Sequence, residues 1–258
     1  MKPVATPKAT PALWDRYARL AAVPKTILRL KSLVFTPTGK GAFLGCLTTT
    51  GIRAPDGKAW TARTLNPELD ELARQGLLTE DLSCVPELLH PVAVDAMASP
   101  EGAMLADAAR KAFPAQTRSP YQYSYSMQAD PDALRRFRLA IYTNDDAEFS
   151  TQLDRYNKDF SPARGPHLLE RLFLRTPVTT AWLASRGLAI QYAIFSIKLS
   201  SLLQSGLPGS DLPELVGHYR AQQGREDFAA FRWALLQYDL LAGHLEDVRR
   251  RIDEIEGG

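Results

Sequence analysis

The sequence predicts a mainly α chain with one short pair of strands near residues 77–89 and helical hairpins beyond them. Three observations carry this. Apolar residues recur at helical spacing almost without a break after Asp130. Pro, Gly and Asn stand where helices should start and stop. Between Thr36 and Leu89 the pattern runs helix, loop, helix and then two β-rich scraps around a polar turn.

In chain order, Met1–Thr10 is rich in Pro, Ala and Thr and reads as a disordered tail. Pro11–Ala22 reads as a helix with Leu13, Tyr17, Leu20 and Ala21 on one face, and Pro24 breaks it. Lys25–Phe35 follows, with Ile27, Leu30 and Val34 inward and Lys25, Arg29 and Lys31 outward. Gly39–Thr49 is the next helix. It lines up Phe43, Leu44 and Leu47, and Gly51 stands at the left-handed cap position. The loop Ile52–Thr64 carries the turn pair Asp56-Gly57 and Trp60, read as a core plug with base stacking as its alternative. Asn66-Pro67 reads as the N-cap and first position of a helix that buries Leu65, Leu69 and Leu72 and ends at Gly76. Leu77–Thr79, the turn Glu80–Ser83, and Cys84-Val85 with Leu88-Leu89 read as a hairpin.

Helices Pro91–Ala98 and Pro100–Ala112 come next, closing a first domain over residues 11–113. Residues 114–129 break the pattern and read as a linker, with Tyr121, Tyr123 and Tyr125 in alternation. A helical domain then fills 130–258. Leu188–Gln204, apolar nearly all round, is expected at its centre together with Trp182. Phe137–Ala140 echoes Phe231–Ala234 at an offset that fits no common repeat period, so any array is degenerate.

Charge is uneven. Residues 1–75 hold twelve Lys/Arg against five Asp/Glu, while the rest carries an acidic excess of five, so a polyanionic or acidic partner suits the N-terminal part. The longest apolar stretch, Leu188–Leu203, contains Gln191 and Lys198 and reads as a buried helix rather than a membrane span. With no leader-like run at the N-terminus, a cytoplasmic chain is expected. Cys46 and Cys84 sit in apolar patterns as core residues. Four scattered histidines show no ligand spacing, so no metal and no cofactor are expected. Gly39-Lys40-Gly41 mimics a phosphate loop, but Val34 and Gly41 occupy two positions such a loop needs for Gly and Ser/Thr. Arg135-Arg136-Arg138 and Arg249–Arg251 read as solvated helix faces. No motif announces catalysis, so the chain is read as non-enzymatic.

Residues 25–89 resemble the winged-helix group of helix-turn-helix domains, on the phrase Leu69-Asp70-Glu71-Leu72 … Gly76-Leu77-Leu78 between recognition-type helix and wing. Residues 130–258 are similar to tetratricopeptide-type helical arrays, and the combination resembles accessory regions of large bacterial ATPases such as Swi/Snf-type helicases. The resemblance implies nucleic-acid binding, most simply duplex DNA, within a larger DNA-acting protein. The recognition-type helix departs from a DNA reader: Glu68, Asp70 and Glu71 repel phosphate and only Arg74 attracts it. Backbone contact by Lys25, Arg29, Lys40, Arg53, Lys58, Arg63 and Arg74 is therefore expected. The alternative is a protein-interaction scaffold that uses Glu68, Asp70 and Glu71.

Overall fold

The structure, a computed structural model, describes residues 11–35, 37–113, 131–159, 167–174, 176–205, 211–222 and 229–256. Fourteen helices are found among them, and the chain is mainly α. The predicted tail and linker lie outside the described residues. The chain divides into two compact units at residues 164 and 165.

The first unit holds α1 (Pro11–Ala18), α2 (Ala22–Val34), α3 (Lys40–Thr49), α4 (Ala62–Arg74), α5 (Pro86–Ala98), α6 (Gly102–Ala112), α7 (Pro131–Thr143) and α8 (Asp146–Asp159). Helix α2 is the axis. Ile27, Leu28, Leu30 and Leu33 are fully buried, and the helix packs on α4, α5, α6 and α7. Against that axis lie the Leu65–Leu69–Leu72 stripe of α4 and Leu88 and Val92 of α5, while α3, with Phe43 and Leu47 buried, packs on α6 and α4. Leu105 of α6 and Phe137 and Ile141 of α7 complete the core. Gly102 is squeezed at the α5–α6 junction: a Cβ there would lie 2.6 Å from the Ala96 carbonyl oxygen.

Several expected elements differ. Helix α1 ends at Ala18, and α2 starts at Ala22 and takes in Pro24, which was expected to separate two helices; a proline in the first turn costs no backbone bond. Helix α4 starts at Thr61, not Asn66. The Thr61 hydroxyl accepts from the Thr64 amide while the Thr64 side chain accepts from the Thr61 amide, and this box sets the start. Pro67 then falls inside the helix. Gly76 does end α4, at φ 70°, with Leu77 N–H donating to Leu72 O and Gly76 N–H to Ala73 O in a Schellman closure. Beyond it, residues 77–89 form a single antiparallel bridge, Leu78 to Cys84, rather than two strands. Pro86 is the first residue of α5, so Leu88 and Leu89 are helical and leave too little chain for a second strand. Thr79 closes the intervening turn, its amide donating to Ser83 O at 2.8 Å and its hydroxyl accepting from the Ser83 amide.

Helices α7 and α8 group with the first compact unit, whereas the sequence pattern breaks before them, at residues 114–129. The physical reason is buried polar anchoring. Arg138, 2% exposed, donates to Ser32 O at 3.3 Å and Leu89 O at 2.8 Å, and its guanidinium lies over the rings of Phe35 and Tyr142. Phe35 ends α2 at φ 67°, ψ −55°, a backbone region that bulky residues seldom visit. Tyr142 shares a 2.6 Å hydrogen bond with His90 Nδ1 on α5. Arg135 donates to Val34 O and to Thr38 Oγ1. The expectation of a solvated Arg135-Arg136-Arg138 face thus fails at Arg135 and Arg138.

The second unit holds α9 (Leu168–Phe173), α10 (Thr180–Ala184), α11 (Leu188–Ser205), α12 (Leu212–Arg220), α13 (Ala229–Leu241) and α14 (Leu245–Glu256). As expected, α11 is central: Ile190, Ile194 and Phe195 are fully buried, and it packs against α9, α12 and α13. Trp182 is buried, its ring stacked on Phe173. Phe195, Tyr219 and Phe231 join three helices in one aromatic cluster. No described helix is long and apolar enough to cross a membrane.

Candidate nucleic-acid interface

The seven cations proposed from the sequence divide into two sets. Three are already engaged. Arg29 ion-pairs with Asp95 at 2.7 Å and Glu101 at 3.3 Å, and its Nε donates to the Tyr17 hydroxyl. Tyr17 in turn donates to Asp95, and burial with that carboxylate pushes the phenol above its usual pKa. Lys25 donates to Ala18 O at 2.9 Å and lies over the Tyr17 ring. Arg74 is paired with Glu71 one turn back.

Lys40, Arg53, Lys58 and Arg63 are different. All four are exposed, and none makes an ion pair among the described residues. They come from one segment: the start of α3, the α3–α4 loop and the first turn of α4. That segment carries a single acid, Asp56, whose carboxylate accepts from the Lys58 amide at 3.0 Å and so shapes the turn. Two backbone hydrogen bonds and a buried ring fix the loop's course: Ala54 N–H donates to Lys58 O, Gly57 N–H to Ala54 O, and Trp60 is buried at 5% exposure. Burial excludes Trp60 from stacking on a base.

The acids proposed for the alternative also divide. Glu71 is held by Arg74 and Gln75, and those hydrogen bonds depress its carboxyl pKa. Glu68 and Asp70 make no ion pair among the described residues.

Three clusters escaped the sequence reading. Lys31, expected outward, is 4% exposed over the Phe43 ring, and burial pulls its ammonium down to about 8. The signal was present, since Lys31 follows Ile27 by one helical turn on the inward stripe. In the second unit, buried Lys198 meets Asp211 at 2.9 Å and Thr176 O at 2.6 Å, and Asp211 also accepts from the Val178 amide. Desolvation holds the Lys198 pKa below its usual value. Finally, Asp239, His244 and Asp247 bring ligand-type atoms within 4.8 Å of one another. Arg220 already occupies that cluster, pairing with Asp239 and standing 3.8 Å from Asp247.

Catalytic chemistry gains little. Cys46 and Cys84 are free and buried, and desolvation raises both thiols to about 12, so neither is a ready nucleophile. His90 and Tyr142 are each 1% exposed and out of a substrate's reach. The chain matches no known protein family, no curated protein and no solved structure.

Proposed function

We propose that the chain is a non-enzymatic nucleic-acid-binding module that meets the backbone of duplex DNA through its first unit. The observation that carries this reading is the set of four exposed, ion-pair-free cations, Lys40, Arg53, Lys58 and Arg63, in a segment with one acid. Cations without internal partners keep their full charge for phosphate, and phosphate neutralisation releases counterions. The recognition-type helix α4 presents Glu68 and Asp70, so affinity rests on backbone contacts and discriminates little between sequences. In this reading α2, α3 and α4 serve as a winged-helix-like core whose wing is reduced to the Thr79–Ser83 turn. The helices of the second unit recruit or regulate, inside a larger DNA-acting protein.

The test is a salt titration of duplex binding by the full chain. Each phosphate contact removed flattens the slope of log K against log salt by about 0.9. The variant Lys40→Glu/Arg53→Glu/Lys58→Glu is expected to weaken binding equally on unrelated sequences, and Glu68→Lys to strengthen it. Absence of duplex binding at low salt ends this reading.

A second reading has its own observation. Trp233, Leu240 and Leu245 on α13 and α14 are more than half exposed, an apolar surface suited to a protein partner. Loss of partner recruitment on reversing Glu68 and Asp70, with DNA binding absent throughout, would favour this scaffold role.

A further inference from the structure

Helix α13 has two unlike faces. Phe231, Ala234, Leu235 and Asp239 are buried, and the helix packs on α11 and α12. Trp233, Gln237, Leu240 and Leu241 recur at i, i+4, i+7 and i+8 on the opposite face, and all four are exposed. The chain then turns at Gly243 into α14, which packs back on α13. There Leu245, Arg249 and Ile252 line one face at i, i+4 and i+7, and all three are exposed. Elsewhere among the described residues only Met104 and Tyr192 are large, apolar and exposed. Scattered apolar side chains need no partner, but five gathered on one hairpin mark a surface that another molecule covers.

Two charges beside the α14 stripe are unspent. Glu246 and Arg249 are exposed, and neither side chain makes an ion pair or hydrogen bond among the described residues. Their neighbour Arg250 is already paired with Asp247. An acid and a base about one turn apart on a helix complement the same two residues read in the opposite direction. Helix geometry supplies the register. When two copies of α14 run antiparallel with Leu245 of one opposite Ile252 of the other, Glu246 lies within about 3 Å, along the axis, of Arg249 of the second copy. Twofold symmetry makes the same contact again, from Arg249 to Glu246 of the second copy. The two Arg249 side chains approach each other near the axis, each with a carboxylate of the other copy beside it. The register that matches the apolar residues therefore also matches the charges.

We propose that this surface binds a second copy of the chain, with the α13–α14 hairpins of the two copies packed about a twofold axis. At 58%, 59% and 68% exposure for Trp233, Leu240 and Leu245, and 41% for Leu241 and Ile252, the five side chains offer on the order of 500 Å² per copy. Two copies then bury about 1,000 Å² in apolar contact, where specific interfaces begin. The Glu246–Arg249 pairs at the edge set the register more than they add affinity. The proposal rests on the exposed surface of the second functional reading and names its partner. It is independent of duplex binding, since none of Lys40, Arg53, Lys58 and Arg63 lies on α13 or α14.

The experiment is sedimentation equilibrium of the full chain, free of nucleic acid, across a wide range of concentration. A mass rising from one chain to two and stopping there is expected. Trp233→Glu/Leu240→Glu should weaken the dimer at least tenfold, and because both side chains are exposed the melting temperature of the dilute, monomeric chain should not fall. The charges give a test that only a second copy can pass. Glu246→Arg alone sets Arg against Arg across the axis, and Arg249→Glu alone sets Glu against Glu, so each homodimer should weaken several-fold. An equimolar mixture of the two variants restores both pairs and should dimerise more tightly than either variant by itself. Duplex binding by the monomeric Trp233→Glu/Leu240→Glu chain, measured separately, decides the nucleic-acid reading whatever the oligomeric state. A parent chain that stays monomeric at every concentration overturns the proposal. So does a dimer that survives Trp233→Glu/Leu240→Glu, or a mixture of the charge variants no tighter than its components.

Discussion

Lys31 and Arg138 show where residue type and residue position disagree. Helical spacing places both on inward stripes, with Ile27 and Leu30 around one and Leu134, Phe137 and Ile141 around the other. Charge argues for solvent, and the sequence offers no sign that carbonyls and rings will enclose the charged group. The Lys31 ammonium titrates near 8 when folded and at 10.5 when unfolded. Between those values the unfolded chain keeps a proton that the folded chain sheds, so stability rises with pH across that window. Lys31→Met should therefore stabilise the protein at pH 7, by on the order of 3 kcal/mol. Urea midpoints of parent and variant should converge as pH climbs from 8 towards 10.5. Gly102 makes a second prediction at this scale. A Cβ would stand 2.6 Å from Ala96 O and 2.9 Å from Met97 Cα, both backbone atoms that cannot swing aside. Gly102→Ala should cost about 1–3 kcal/mol, read as a lowered melting temperature.

At the scale of the element, most helices were legible because an apolar stripe and a terminating residue agree. Helix α11 and the Gly51 and Gly76 caps were read correctly on that basis. The starts of α4 and α5 were misread for one shared reason. Each carries a proline as its sixth residue, Pro67 and Pro91, and a proline is more familiar as a first residue. Both helices absorb it by giving up one backbone bond near the start, where few such bonds exist yet. The consequence is measurable. Thr61→Ala removes the true cap of α4 and should cost about 1 kcal/mol. Asn66→Ala should be near neutral, since the Asn66 side-chain oxygen is buried without a hydrogen-bond partner. Equal losses from the two changes in a denaturant melt would return the helix start to Asn66.

For the whole molecule, charge asymmetry was legible and its distribution was not. The sequence marks a basic N-terminal part, but only the fold separates Arg29, spent on Asp95 and Glu101, from Lys40, Arg53, Lys58 and Arg63, which have no such partners. Local spacing cannot foresee an ion pair that joins residues 66 positions apart. The compact units depend on long-range contact in the same way: α7 and α8, which follow residues 114–129, group with the helices before that stretch. The two units also make a stability prediction. Ile194 is fully buried in α11, so Ile194→Asp places an uncompensated charge in the second unit and should cost several kcal/mol. Hydrogen exchange should rise across α9–α13 and stay unchanged in α2 and α5.

The anchoring of α7 has a further meaning for how the chain is made. Arg138 reaches back 106 residues to Ser32, and Arg135 reaches back 101 to Val34. While the chain is being synthesised, α2 leaves the ribosome long before the helix that closes over it. Until α7 arrives, the end of α2 and one side of α5 stay open, and contacts of such long separation form slowly. A chain cut at residue 113 would never leave that state. Expressed alone, it should aggregate, whereas a chain cut at residue 164 should stay monomeric.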